Sequence, residues 1–533
     1  MLAGEDIYRR ALQLGRDGHV EDAIAWLASH EARIAAHPAA LGLMGTLLSM
    51  SEQPEAALAF FTRSIALDPA RTVVHSDMGV ALTKLNRADA ALASFDRALS
   101  LDPANVQALN NRAHHWLEMR QGEPALADAD RALALQPRLM AAHRQRSRAL
   151  LLLNRGSEAL QNIDAALALD PASAETHAIR GEILDALGRA DEAIAAFDRA
   201  AALPFLPGKN PVFTRALSRL RRRQFLEGWK DYEARWLNPS FVRTSWRHDH
   251  ALLERREIGL PDPAGKRVLL IDEQGVGDQI MFASLIPDLL GVAAHVAYVS
   301  SPRLERLMKA SFPDLAIATD ATRLEPEAFD LVIPAGSLGR LFRNDATQFP
   351  GTPYLRPQPQ TTELWRSRLG PPTTSLRVGL SWRGGVFGTG QNARSLDLTA
   401  LTPLLCRDDC EFVSLQYGDA AADVDTINGD LPRPIRRFPT ADIDDFEDLA
   451  GLVLALDVIV SVQTALVHLA GAVGAPTLAL IPFAPEWRYG QTGAAMPWYD
   501  SVELFRQPQP GDWASVLRSV GGALDQRAGR VSN

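Results

Sequence analysis

Residues 267–283 read RVLLIDEQGVGDQIMFA. A short apolar run, RVLLI, gives way at two glycines to a second apolar stretch whose spacing is helical, so the segment predicts a buried strand turning into a helix. Asp278 stands at that turn. Two roles are open to it: capping the helix, which Asp does well, or holding a carboxylate at the mouth of a sheet.

Working outward, the same alternation recurs. HVAYVS (295–300) and FDLVIP (329–334) continue the first series of strands. A proline-rich stretch, LRPQPQ (355–360), separates them from RVGLSW (377–382), EFVSLQY (411–417), DVIVSV (457–462) and TLALIP (477–482). Helical segments lie between the runs. Two such series predict two doubly wound α/β domains facing a cleft, with ligands beyond the carboxyl ends of the strands.

Several familiar motifs are approached and missed. GVGDQI lacks the third glycine of a dinucleotide fingerprint, and no acidic residue follows about twenty positions on. GVFGTGQN (385–392) has phosphate-loop glycines, but Gln391 stands in place of the lysine and Asn392 in place of the hydroxyl. AGSLG (335–339) is one residue from a nucleophile elbow, with His468 as its only downstream histidine. By contrast, VSVQTALVHLAGAVGAP (460–476) describes a strand that ends at Gln463 and Thr464, where a helix begins. The N–H groups at such a helix start suit an anionic diphosphate. His468 lies one turn beyond Thr464, either as a satisfied core residue or as a donor to the ligand.

The first two hundred residues follow a different rule. Pro69, Pro103, Pro137 and Pro171 are 34 residues apart. Gly45, Gly79, Ala113, Ser147 and Gly181 form a small column at the same period, and Ala57, Ala91, Ala125, Ala159 and Ala193 form another. Small columns let antiparallel helices approach, and each proline stops a helix. The pattern resembles the tetratricopeptide repeat. It predicts repeats at 38–71, 72–105, 106–139, 140–173 and 174–207, preceded by a divergent copy carrying Ala11 and Ala23. Asp77, Asn111 and Gln145 recur on the first helices, about 10 Å apart in a stack. They are either a solvated polar face or a ladder for an extended acceptor peptide. His75, His143 and His177 also recur, too widely spaced to ligate one metal.

Composition narrows the class. A formal charge of −9 argues against a nucleic-acid binder. Two cysteines, Cys406 and Cys410, build no disulfide framework and predict a reducing compartment. Neither a signal peptide nor a membrane span is evident, which leads to the expectation of a cytoplasmic protein.

The segments EQGVGD, VGLSWRGG, NARSLDL, SLQYGD, QTALVHLAGAVGAP, PEWRYG, PWYDSVELFRQ and GDW, in that order, resemble bacterial tetratricopeptide-repeat glycosyltransferases. That group is similar to heptosyltransferases and, more distantly, to O-linked N-acetylglucosamine transferases. FLEGWKDYEARW (225–236) is its junction phrase. The resemblance implies an α-solenoid followed by an α/β GT-B unit of two Rossmann-like domains. The expected boundaries are 1–207 for the repeats, 208–265 for capping helices and linker, 266–360 for the acceptor side and 361–533 for donor binding. It implies no metal and no cofactor, the nucleotide-sugar being a substrate.

By the same resemblance Asp278 is the base and His468 assists. Gly275, Gly277, Arg383, Arg394, Ser395, Gln463, Thr464 and Ala465 surround the donor; Trp487 and Arg488 match the group's motif, with domain packing as the alternative role. The group usually has Asp where this chain has Gln463, which points to a different donor, such as an acidic nonulosonic acid, or to weakened activity. The implied function is transfer of a sugar to Ser or Thr of a protein such as flagellin, held by the repeats. The alternative is a repeat scaffold whose second half binds nucleotide-sugar without reacting.

Overall fold

The structure is a computed structural model that describes residues 4–205, 210–238, 241–242, 261–320, 324–371, 375–384, 394–418 and 420–531. The chain divides into two compact units, Met1–Ala196 and Phe197–Asn533. The phosphate-loop-like segment 385–392 lies outside the described residues.

The first unit is a tetratricopeptide-repeat solenoid of antiparallel helix pairs. Pro38–Met50 pairs with Pro54–Leu67, Thr72–Lys84 with Ala88–Leu101, and Val106–Glu118 with Gly122–Leu135. Met140–Leu152 pairs with Gly156–Leu169, and Ala174–Ala186 is followed by Ala190–Ala201. The preceding copy is Gly4–Arg16 with Val20–Ser29, its Ala11 and Ala23 fully buried. The small columns have the expected cause. A Cβ on Gly45 would stand 2.6 Å from the Phe61 ring, and one on Gly79 2.6 Å from Phe95.

The turn inside each pair has its own period. Gly18, Glu52, Asn86, Arg120, Asn154 and Gly188 all have positive φ and are 34 residues apart. The recurring histidines act within their repeats: Nε2 of His75, His143 and His177 lies 3.0, 2.9 and 3.1 Å from the carbonyl of the proline six residues earlier. Between consecutive repeats runs an ion-pair ladder at the same period, Arg112–Asp96, Arg146–Asp130 and Arg180–Asp164, at 2.6–2.7 Å.

The helices Pro211–Arg221 and Phe225–Tyr232, expected as caps, belong to the second unit. They keep the repeat plan with one residue inserted. Arg223 has the positive φ, and Arg215 bridges Asp198 and Asp231 as Arg112 bridges Asp96 and Asp128. What differs is Trp229. It is fully buried in the core of the α/β unit and donates from Nε1 to the Arg343 carbonyl at 2.8 Å.

The second unit holds two sheets. The first contains β1 (Arg267–Ile271), β2 (His295–Val299), β3 (Ala316–Ala318) and β4 (Leu331–Pro334), all parallel, in the order β3-β2-β1-β4. The second contains β5 (Leu376–Ser381), β6 (Cys410–Ser414), β7 (Val458–Val462), β8 (Thr477–Ile481), β9 (Ala495–Met496) and β10 (Tyr499–Arg506). Its order is β6-β5-β7-β8-β10-β9, parallel except for β9. The seven expected strands are present. β3, β9 and β10 were not foreseen: β3 and β9 are only three and two residues long, and β10 buries one side intermittently.

The two sheets share one hydrophobic core, and two helices meet where a cleft was expected. Val276–Ala283, following β1, packs against Ala465–Val473, following β7, so closely that a Cβ on Gly277 would lie 3.2 Å from Ala465 Cα. The boundary expected at 360/361 falls inside the helix Pro359–Leu369. That helix is pinned by buried Glu447, whose carboxylate accepts Gln358 N–H at 2.7 Å and the Thr361 hydroxyl at 3.0 Å. Among the described residues no helix is long and apolar enough to cross a membrane, and no group of three or more His, Cys, Asp or Glu is placed to hold a metal.

Candidate functional site

The loop after β1 is built on a buried ion pair. Arg235 Nη2 meets Glu273 Oε2 at 3.1 Å, and neither side chain is exposed. The guanidinium lies over the rings of Tyr232 and Trp236, at 4.6 and 4.4 Å. It also donates to Ser337 Oγ at 2.7 Å, and that hydroxyl donates to Glu233 at 3.0 Å. Ser337, the would-be nucleophile of AGSLG, is thus a buried structural hydroxyl. Gln274, with φ of 64°, donates to Tyr232 Oη at 2.6 Å. Burial raises the Glu273 pKa, and Arg235 opposes that rise.

Asp278 is not the cap of the helix Val276–Ala283. Gly275 is the N-cap, and Asp278 sits three residues in, where its charge still complements the helix N-terminus. Its Oδ1 accepts from Nε of Arg488 at 2.7 Å and from Nη2 of the same guanidinium. Arg488 Nη1 reaches Glu486 Oε2 at 3.0 Å, and Glu486 Oε1 lies 3.1 Å from Arg394 Nη1. Four alternating charges therefore run from the β1 loop to the loop after β8 and on to Arg394. Burial works against the Arg488 charge, but Asp278 and Glu486 outweigh it and hold the pKa above its usual range. Arg488, a motif match with domain packing as its alternative role, is the direct partner of Asp278. Trp487 does pack, at 5.5 Å from Trp229. Only the spatial partner distinguishes these neighbours in the PEWRYG motif.

Thr464 caps the helix Ala465–Val473, accepting Leu466 N–H at 3.2 Å, with Ser461 Oγ 3.1 Å away. Ala465 is the residue against which Gly277 packs. His468 is 4% exposed, with Nδ1 3.1 Å from Tyr499 Oη and Nε2 3.4 Å from Tyr489 Oη. Burial, and then the Arg488 charge, lower its pKa to about 3. His468 is a neutral ring held between two phenols. Gln463 is 2% exposed, and among the described residues neither its amide nitrogen nor its carbonyl oxygen has a hydrogen-bond partner. Its backbone carbonyl is close to Gly384, where a Cβ would approach it to 2.7 Å.

Ser395 Oγ accepts Gly384 N–H at 3.1 Å, fixing the near end of the loop after β5. Arg383 turns the other way, forming an ion pair with Asp423 at 3.1 Å. Its N–H donates to Gln416 Oε1 at 2.8 Å, and Gln416 and Arg437 line a cavity of about 130 Å³ beyond β6. The structure thus brings together Asp278, His468, Arg394, Gln463, Thr464, Ala465, Ser395, Gly275 and Gly277, while the Arg383 side chain points toward the β6 side.

In the solenoid, Asp77 accepts the Thr46 hydroxyl at 2.6 Å, and Asn111 Nδ2 donates to Ser76 Oγ at 3.1 Å. These bonds tie each repeat to the one before it. Gln145 Oε1 is buried without a hydrogen-bond partner among the described residues. All three residues are half-buried, so the fully solvated alternative does not describe them.

The tetratricopeptide-repeat family matches residues 74–105 and 174–204. Protein FlbA of Caulobacter vibrioides is 28% identical over 337 residues, covering 58% of this chain and 54% of that protein, so the chain spans about half the length of this curated relative. A tetratricopeptide repeat protein from Parabacteroides merdae is 15% identical, covering 43% of this chain and 91% of its own, with a TM-score of 0.38. A thermophilic repeat protein of Thermus thermophilus is 22% identical, covering 30% and 87%, with a TM-score of 0.28.

Proposed function

We propose that this protein is an inverting, metal-independent protein O-glycosyltransferase of GT-B architecture, its second unit binding a nucleotide-sugar and its repeats a protein acceptor. The observation that carries the reading is the convergence, at the carboxyl ends of β1, β5 and β7, of a carboxylate, an arginine chain and a helix start beside an unpartnered buried amide. Such strand ends are where open α/β sheets take ligands. Two buried amide atoms without partners are costly, about 1–3 kcal/mol each, unless a ligand supplies the missing bonds.

The chemistry assigned to these residues is direct displacement. The acceptor hydroxyl gives its proton to Asp278 as its oxygen bonds to the anomeric carbon. The bond from that carbon to the phosphate oxygen breaks, and the electron pair leaves with the nucleotide. The start of Ala465–Val473 and the cations of Arg394 and Arg488 face the charge that develops there. His468, neutral and buried, positions Tyr489 and Tyr499 rather than the proton.

Flagellin is the acceptor to test first, on the strength of the sequence resemblance. Full-length protein, purified flagellin and UDP-, GDP-, ADP- or CMP-linked sugars are incubated together, and the flagellin mass is measured. A gain of one sugar mass with wild type and none with Asp278→Asn is expected. The second reading, a scaffold that binds without reacting, is favoured by the grip of Arg488 on Asp278. Acceptor binding without turnover of any donor would replace the first reading with the second.

A further inference from the structure

A carboxylate meant to take a proton is here covered by a cation. Both Arg488 contacts fall on one oxygen, Oδ1, while the third used N–H goes to Glu486. A guanidinium has five N–H groups, so two, one on each Nη, have no acceptor among the described residues. The Arg488 side chain is 14% exposed and Asp278 15%, so the pair is neither sealed in the core nor free in solvent. The guanidinium carbon lies 4.8 Å from the Trp487 ring, which fixes its plane. On its far side Glu486 ties it to Arg394, and His468 is neutral beside it. Arg488 is therefore a pre-oriented fork between two carboxylates, with N–H groups to spare, at the point where the donor phosphate is assigned.

We propose that Arg488 is a substrate-binding residue that exchanges Asp278 for the phosphate of the nucleotide donor, and that this exchange uncovers the base. The inference rests on the nucleotide-sugar reading above. Phosphate matches the guanidinium fork as carboxylate does and carries more charge, so an incoming donor competes well for Arg488. Once released, Oδ1 can accept the proton of the acceptor hydroxyl. Arg488, now on the phosphate, stands where negative charge grows as the sugar bond breaks. Oδ1 is thus exposed only when a donor is bound, and an acceptor arriving first meets a carboxylate whose Oδ1 is already occupied.

The test is calorimetric titration of the full-length protein with UDP, GDP, ADP and CMP. If the exchange operates, wild type spends part of its binding energy breaking the Asp278 contacts. Asp278→Asn, which keeps the shape and removes the charge, should tighten the preferred nucleotide about tenfold, and Arg488→Gln should weaken it by about tenfold or more. In the Arg488→Gln background, Asp278→Asn should have no further effect. Arg488→Lys, which keeps the charge without the fork, serves should the Gln variant not fold, and should bind with intermediate affinity. Unchanged or weaker binding by Asp278→Asn, with wild type still binding, overturns the exchange alone. No binding of any nucleotide by wild type or Asp278→Asn overturns the donor reading together with the exchange.

Discussion

The ring of His468 and the phenol of Tyr499 are joined at 3.1 Å, and both side chains are buried. Burial raises the pKa of Tyr499 and of Tyr489, so both phenols stay protonated, and the neutral imidazole accepts from one of them and donates its own N–H to the other. Charged groups near this pair are Arg488, which disfavours an imidazolium, and Asp278, held by Arg488. The ring is a hub joining Ala465–Val473, β10 and the loop after β8.

His468 makes stability depend on pH. Its pKa falls from 6.5 to about 3 on folding, so below 6.5 the unfolded chain takes up a proton that the folded protein refuses. The stabilisation from keeping it neutral is complete above 6.5 and is lost as pH falls toward 3, on the order of 2 kcal/mol by about pH 5. Urea melts at pH 7.5 and 5 should show this loss in wild type and a smaller one in His468→Gln. Parallel losses would mean that His468 protonates freely in the folded protein.

Gly471→Ala should destabilise the second unit by about 1–3 kcal/mol. Its Cβ would fall 2.3 Å from Tyr499 Cγ, and the Tyr499 ring is fully buried and cannot swing away. Thermal melting followed by tyrosine and tryptophan signals measures the cost. An unchanged melting temperature would show that the helix and β10 are less tightly apposed.

Gln463→Met should raise the melting temperature of the ligand-free protein. Methionine fills similar volume and removes two buried polar atoms that lack partners among the described residues, a gain of about 1–2 kcal/mol. The same change should abolish the thermal shift produced by the preferred nucleotide-sugar. A loss of stability would show that the amide serves the fold itself.

Two arginines of the solenoid ladder should behave differently. Arg180 pairs with exposed Asp164, so Arg180→Ala should cost less than about 1 kcal/mol. Arg112 also holds Asp128, which is 3% exposed, so Arg112→Ala leaves a buried carboxylate with only Arg131, at 3.9 Å, as its cation and should cost about 3 kcal/mol. Chemical denaturation of the two variants compares them, and equal costs would count against the distinction.

The period of 34 residues, the helix pairs and seven of the ten strands were legible in the chain because each depends on neighbours in sequence. Small columns, prolines and apolar runs act over a turn of helix or the width of a strand. β10 was missed because only Tyr499, Val502 and Leu504 along it are buried, a spacing that breaks the strict alternation of a strand. The helix pair Pro211–Arg221 and Phe225–Tyr232 carries repeat-like spacing, yet Trp229 commits it to the α/β core, and no local pattern announces that burial.

The candidate site divides in the same way. Its strand-to-helix turns, with Gly275, Asp278, Gln463 and Thr464, stand out in the sequence because glycines and capping residues punctuate apolar runs. The protonation of His468, the loss of partners by Gln463 and the pairing of Asp278 with Arg488 across 210 residues were decided only by folding. Dielectric, burial and ion pairing are properties of what surrounds a group in space, and that surrounding comes into being only when the two sheets close on one another.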